Sequence, residues 1–327
     1  MGNLYQNQLD LHRSPSYTDI LTSKAENVIL RKGDIAITLT GTNNKRDFGY
    51  TYIFNDEKNL LLNQRCGLIR TTGNPYFLSC LLKTYAFLNQ FFESATGGTG
   101  NQANVSTKAM EMFSVNIPSL KEQKKIGELM ALLDERIATQ NKIIEKMQTL
   151  IKGIAHKVSK QGKPNIRLSE CLLCTSSTLQ ESDVAEVGAY PVYGANGIVG
   201  YLDTYNTTSE AIYIIKDGSG VGTVSCVKGK CSATGTLNIL QTKEGFSLRY
   251  LYFILKVFSF EPYKTGMAIP HIYFKDYGKA KIYCPSNQLQ CKYADLLSKI
   301  EQKATAEQKI LDNLCSQKQY LLCQMFI

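Results

Sequence analysis

The stretch "VNIPSLKEQKKIGELM" at residues 115–130 returns, altered, as "IYCPSNQLQCKYADLL" at 282–297. A constant offset of 167 residues pairs Val105 with Ile272, Lys108 with Lys275, Val115 with Ile282 and Pro118 with Pro285. It continues through Ser119 and Ser286, Gln123 and Gln290, Leu129 and Leu296. A chain that repeats itself at this spacing folds as two related units, so the period constrains the architecture more than any composition figure does. In the first copy, Ser119 is followed three residues later by Glu122, a capping box in which the two residues satisfy each other's orphan backbone donors. This predicts a helix that opens at Ser119 and runs to about Ser159.

Inside that helix Met130, Leu133, Ile137, Gln140, Ile144 and Met147, then Ile151 and Ile154, recur at alternating steps of three and four. The offset carries them to Leu297, Ile300, Ala304, Glu307, Leu311 and Leu314, then Lys318 and Leu321. Both strips are heptad seams, and both are broken at the same polar position, Gln140 and Glu307. A 3.5-residue period held this long favours helix packed along helix; the alternative is two amphipathic helices, each on its own domain. Antiparallel pairing would bury one seam in the other. A helix of about 40 residues is about 60 Å long, so such a pair would act as a ruler.

The repeat extends upstream more weakly. "DIAITLTGT" (34–42) resembles "AIYIIKDGSG" (211–220), "GLIRTT" (67–72) resembles "GTLNILQT" (235–242), and "NPYFLSCLLKT" (74–84) resembles "SLRYLYFILKV" (247–257). Each globule thus mixes buried strands with a short helix. The expected class is α/β (α+β), in tandem, with an antiparallel coiled coil and a pseudo-twofold internal repeat. The expected segments are a first domain at 1–118, a helix at 119–160, a second domain at 161–285 and a second helix at 286–327.

Charge bears on partners. The chain carries a net +9, spread as +2, +4, +2 and +1 over those four segments, so no segment is a basic tail. This permits a polyanion without requiring one. Ten cysteines in 327 residues form no small-scaffold pattern and are expected to be reduced thiols. "MGNLYQNQLDLHRS" has no basic start or apolar run, and Gln6 stands where myristoylation needs Ser or Thr. The most apolar run, Tyr250–Phe260, is too short to span a bilayer and contains Lys256. The expectation is a cytoplasmic protein with no membrane association.

The stretch "VNIPSLKEQKKIGELMALLDERIATQNKIIEKMQTL", with its proline, "L-x-EQ-x-x-I" and long helix, resembles the spacer region of the specificity subunit of type I restriction-modification enzymes. "GDIAITLTGT…TTGNPYFLSCLLKT…TGGTGNQANVSTKAM" resembles that family's target recognition domain, as does "GSGVGTVS…TGTLNIL…SLRYLYFIL…TGMAIPHIYFKDYGKAKIYCPS". The resemblance covers nearly the whole chain. It implies a non-catalytic subunit that binds double-stranded DNA, each recognition domain reading half of a split site. It also implies paired helices that set the gap and dock two DNA methyltransferase subunits, with restriction/translocase subunits joining for cleavage. No cofactor is implied.

One departure stands out. About 45 residues from Ile166, including "LSECLLCTSSTL" and "YPVYGANGIVGYL", precede "AIYII", whereas only 33 precede "DIAIT". The first recognition domain is therefore expected to lack its opening strand and part of its reading loop. A degenerate copy, binding partner subunits as a scaffold without reading DNA, is the alternative.

Other chemistry is sparse. No G-x-x-x-x-G-K-[ST] occurs. "NPYF" superficially matches the N-P-P-Y of amino-methyltransferases, but Asn74 followed by Pro75 also reads as a helix cap and first turn. Cys171, Cys174, Cys226 and Cys231 have no counterparts in the first copy, so no metal is expected. The DNA-contact candidates in the first copy are Asn43, Asn44, Lys45 and Arg46 of "GTNNKRDFG", with Asn101 and Gln102. Asn suits adenine edges, and Lys or Arg suits guanine or phosphate; a solvated hairpin tip is the competing reading. In the second copy Lys216, Ser219, Lys228 and Lys230 occupy the comparable region. There Lys264, His271 and Tyr273 of "KTGMAIPHIY" match the loop at 95–106. Glycines in those two loops would let backbone approach phosphate; a flexible loop before a strand is the alternative.

Overall fold

The computed structural model describes residues 2–13, 16–19, 23–55, 60–97 and 101–326. The chain divides into two compact units: residues 1–141 with 309–327, and residues 142–308. No helix among the described residues is long and apolar enough to cross a membrane.

Unit 1 opens with a hairpin, β1 (Leu4–Tyr5) and β2 (Gln8–Leu9). Gln6 and Asn7 make its turn at positive φ, +49° and +62°, the conformation a two-residue hairpin requires. Leu4 anchors it in a small core with Leu30, Ala36 and Phe54. After a short α1 (Ser23–Glu26) come β3 (Ile35–Thr38), β4 (Thr40–Thr42), β5 (Thr51–Ile53) and β6 (Cys66–Ile69). Next are α2 (Pro75–Leu81), α3 (Tyr85–Glu93), β7 (Thr96–Gly97), β8 (Gln102–Asn104) and α4 (Thr107–Glu111). The strands form two antiparallel sheets, ordered β5-β3-β6 and β4-β8-β7. All four residues of β3 are buried, as expected for a central strand covered on both faces. The main core gathers Ile35, Ile37, Phe48, Phe77, Phe87 and Phe91.

Unit 2 repeats this plan with more strands. Its elements are β9 (Ile166–Arg167), α6 (Leu168–Cys171), β10 (Leu172–Ser176), β11 (Tyr190–Gly194) and β12 (Gly197–Leu202). They continue with β13 (Ala211–Ile215), β14 (Val224–Val227), β15 (Ser232–Ala233), β16 (Leu237–Thr242), α7 (Leu248–Lys256), α8 (Phe274–Tyr277) and β17 (Lys281–Ile282). A four-stranded sheet runs β10-β16-β13-β14, a second runs β12-β11-β15, and β17 pairs with β9. The sheet β14-β13-β16 corresponds to β5-β3-β6, and β10 is the extra strand on its edge.

The two long helices are α5 (Leu120–Ser159) and α9 (Asn287–Met325). The Ser119 capping box forms as read. Ser119 N donates to Glu122 at 3.1 Å, Glu122 N donates to Ser119 Oγ at 3.4 Å, and the hydroxyl donates to the carboxylate at 2.6 Å. Those bonds hold the Glu122 carboxyl below its usual range. Within unit 1 the start of α5 runs antiparallel to the end of α9. Asp134 meets Lys318, while Ile126, a little over two turns earlier, shares a core with Phe326, a little over two turns later. Within unit 2, Tyr293 Oη donates to Gln161 at 2.7 Å, and Ile151 and Val158 pack in one core with Ala294 and Leu297. Along the seam, Met130 and Leu297 are almost fully buried, and Gln140, Ile144, Glu307, Leu311 and Leu314 are buried. Leu133, Ile137, Met147, Ile300 and Ala304 are half-buried. Leu129, Leu132, Leu296 and Ile310 face solvent off the seam. Met130 is 0% exposed, so Met130→Ala should cost about 2–5 kcal/mol through its cavity. A denaturant midpoint within error of the parent protein would show that this part of the seam does not hold unit 1 together.

Candidate nucleic-acid interface

The joint between each globule and its long helix is built on a buried glutamine. In unit 1, Asn74 caps α2 by accepting from Phe77 N at 2.9 Å. Gln123 Oε1 accepts from Asn74 N at 3.1 Å, while Gln123 Nε2 donates to Pro118 O at 2.8 Å. In unit 2, Ser247 caps α7 by accepting from Tyr250 N at 3.3 Å. Gln290 Oε1 accepts from Ser247 N at 3.0 Å, and Gln290 Nε2 donates to Pro285 O at 2.9 Å. The two glutamines are 5% and 2% exposed. Buried amides must be satisfied, and these two are satisfied by backbone alone. The signal was in the sequence as the repeated Pro-to-Gln spacing, but spacing cannot name the partner.

A second brace lies one to two turns along each helix. Asp134 accepts from Tyr76 Oη at 2.6 Å and pairs with Lys318. Its offset counterpart Glu301 accepts from Tyr252 Oη at 2.8 Å and pairs with Lys256 at 3.3 Å and Arg249 at 3.4 Å. Arg249 also meets Glu210 at 2.7 Å. These carboxylates fix the tilt of α2 and α7 against the long helices, and so orient the loops carried by each sheet.

In unit 1 the structure brings the two candidate loops together. Thr42 pairs with Gln102 across β4 and β8. Asn43 N donates to Asn101 O at 2.9 Å, and Asn44 N donates to Asn101 Oδ1 at 3.2 Å. Arg46 sits at φ +45° with its guanidinium 5.1 Å from the centroid of the Phe92 ring, a cation–π placement. Asn43, Asn44, Lys45, Arg46, Asn101 and Gln102 are all exposed. The loop joins strands of two different sheets, so it is not the tip of a simple hairpin. Gly98, Thr99 and Gly100 of the adjoining stretch lie outside the described residues.

In unit 2 the corresponding set also converges. The turn after β13 pairs with the 264–273 loop through Asp217 and His271. Gly218 N donates to Pro270 O at 2.9 Å and Ile272 N donates to Lys216 O at 2.9 Å. Gly218 and Gly266 make these turns at φ +94° and +89°, where an L side chain is strained. Ser219 is exposed. Lys264 pairs with Glu261 at 2.5 Å, His271 packs edge-on to Tyr273 at 5.0 Å, and Lys275 lies over Tyr273. Two exposed apolar residues at the tip, Met267 and Ile269, escaped sequence reasoning, which looked there only for polar groups.

Lys228 and Lys230 are a correction. Antiparallel pairing sets Val227 opposite Ala211, the first residue of β13, whereas Lys216 follows its last. The two lysine sets therefore lie at opposite ends of the strand, about 13 Å apart by the strand rise. Lys228 faces Glu210 at 4.0 Å and lines a groove of about 430 Å3 with Arg249 and Glu301. Lys230 lies 4.9 Å from the Tyr205 ring centroid and 5.9 Å from that of Tyr190.

No group of three or more His, Cys, Asp or Glu that could hold a metal occurs among the described residues. All ten cysteines are free thiols. Burial pushes the Cys284 thiol up to about 11 and, with Cys284 nearby, the Cys171 thiol up to about 12. Cys291, Cys315 and Cys323 are exposed. A thiol reagent at pH 8 should modify these three promptly and leave Cys171 and Cys284 until unfolding. Peptide mapping that finds Cys171 labelled as fast as Cys291 would contradict the packing around β10.

The family model for the type I restriction modification DNA specificity domain matches residues 2–149 and 171–315. The EcoprrI specificity subunit of Escherichia coli is 26% identical over 112 residues, 34% of this chain and 28% of that protein. The HindI specificity subunit of Haemophilus influenzae is 24% identical over 191 residues, 58% of this chain and 40% of that protein. The matched stretches thus span well under half the length of these curated relatives. The S subunit of a type I restriction-modification system from M. genitalium shares the fold, with a TM-score of 0.67 at 20% identity over 96% of this chain and 86% of that one. Two domain matches, falling on the two copies that the 167-residue repeat defines, show that this chain belongs to the type I restriction-modification DNA specificity family.

Proposed function

We propose that the protein is the non-catalytic specificity subunit of a type I restriction-modification system, reading a bipartite site in double-stranded DNA. The observation that carries this reading is the doubled loop pair. Residues 43–46 with 101–102 in unit 1, and 216–219 with 264–273 in unit 2, occupy corresponding places at the end of each central strand. Each pair offers exposed amide, basic and aromatic groups, the types that contact base edges and phosphates. The segments at 1–118 and 161–285 are the recognition domains, and those at 119–160 and 286–327 are the spacer. The solvent-facing Leu129 and Leu296, equivalent under the repeat, are the docking points for two methyltransferase subunits, with restriction/translocase subunits joining that core in the cytoplasm. Methyl transfer and cleavage belong to those partners, and this subunit needs no cofactor.

The test is co-expression with the neighbouring methyltransferase, followed by mapping of methylated sites in the host DNA. A single split motif, lost when this chain is omitted, is the expected result. A stable complex that methylates no defined site and binds no DNA would instead make the chain a scaffold.

A further inference from the structure

In unit 2 a single segment closes two places at once. Asn165 Nδ2 donates to Cys284 O and Cys284 N donates to Asn165 Oδ1, both at 2.8 Å. Ile166 pairs with Ile282, Leu168 and Cys171 are wholly buried, and Leu172–Ser176 then runs along Asn238–Thr242 as the edge strand. Unit 1 has the receiving half of every one of these contacts. Val115 and Ile117 stand 167 residues before Ile282 and Cys284, and Cys66–Ile69 of β6 matches Leu237–Leu240 of β16.

The covering half is not there. Among the described residues β6 is the edge of its sheet, and no strand pairs with 113–118. Val115 and Ile117 instead line an open groove of about 540 Å3 with Phe77, Ile126, Met325 and Phe326. Ile117 is 57% exposed where Cys284 is 7%. Cys66, Leu68 and Ile69 are half-buried where Leu237, Ile239 and Leu240 are fully buried. An unpaired strand edge beside an apolar groove is the arrangement that binds a polypeptide by strand addition, with backbone bonds for affinity and side-chain pockets for choice.

We propose that this groove and the free edge of β6 form a docking site for a segment of a different polypeptide. That segment carries the pattern of Asn165–Ser176: an Asn, an aliphatic residue, any residue, a Leu, and then a second strand. The Asn grips the backbone of Ile117, the aliphatic residue sits beside Val115, and the second strand extends β6. A second copy of this chain is a poor donor, because its own segment is held in its core with Leu168 and Cys171 at 0% exposure. The site is separate from the DNA-reading loops, so it stands whether or not those loops read DNA.

The test uses the full chain and a fluorescein-labelled peptide of the sequence Gln161–Ser176 under reducing conditions. Saturable binding is expected, with protection from amide exchange appearing at 66–69 and 114–118. Ile117→Asp in the chain, at an already exposed position, should weaken binding at least tenfold. Replacing the peptide's Asn165 with Ala should do the same. Absence of saturable binding, indifference to Ile117→Asp, or protection confined to unit 2 would overturn the proposal. So would peptide-independent dimerisation broken by Ile117→Asp, which would give the groove to a second copy.

Discussion

One heptad added to each of α5 and α9 is expected to widen the gap between the two half-sites by about three base pairs at most. Seven residues lengthen a helix by about 10 Å, and duplex DNA rises about 3.4 Å per pair. A whole heptad is needed because it returns each seam residue to the same face; any other insertion turns the seam away from its partner. Three added pairs also rotate one half-site by about a quarter turn, so affinity is expected to fall while the half-site sequences stay as they were. Selection of bound sites from a random library measures both quantities. New half-site sequences at an unchanged gap would remove the helices from the spacer role proposed for them.

The second large effect concerns the charged loop of unit 2. Replacing Lys216 and Lys264 with Ala is expected to weaken duplex binding by between about tenfold and a hundredfold at 0.1 M salt, the loss that two missing counterion releases imply. The slope of log affinity against log salt should become shallower by about 1.8. The lower end of that range is favoured because Lys264 already pairs with Glu261. The same change at Lys228 and Lys230 should be smaller, since Lys228 faces Glu210 and Lys230 lies over Tyr205. His271→Ala, by contrast, should leave the slope alone and relax the choice of one base by about 1–3 kcal/mol. Titration of labelled duplexes at several salt concentrations separates these outcomes. Equal losses from both lysine pairs would place the contact surface elsewhere on unit 2.

The elements written into local sequence were legible: both long helices, the Ser119 box, the Asn74 cap, and the central strands at 35–38 and 211–215. Helix periodicity and capping depend on residues within a few positions of one another, so a sequence states them directly. Strand order depends on contacts far apart in the chain, and there the reading thinned. Lys228 was grouped with Lys216 because both flank one hairpin, but the antiparallel return of β14 carries it to the far end of β13. The hairpin at Gln6 and Asn7 was not foreseen, because no glycine marks its left-handed turn. The buried carboxylates Asp134 and Glu301 were passed over for a similar reason. Their partners Tyr76 and Tyr252 lie 58 and 49 residues away.

Gln123 and Gln290 touch their globules only through the backbone of Asn74 and Ser247, and their own helix entries only through the carbonyls of Pro118 and Pro285. Such a joint does not depend on which side chain stands at the receiving position, as the differing caps in the two units illustrate. The residues that face DNA can therefore diverge, or whole heads can be exchanged between related chains, without retooling the coupling to the rod. Inheritance can then vary what is read while leaving untouched how it is mounted.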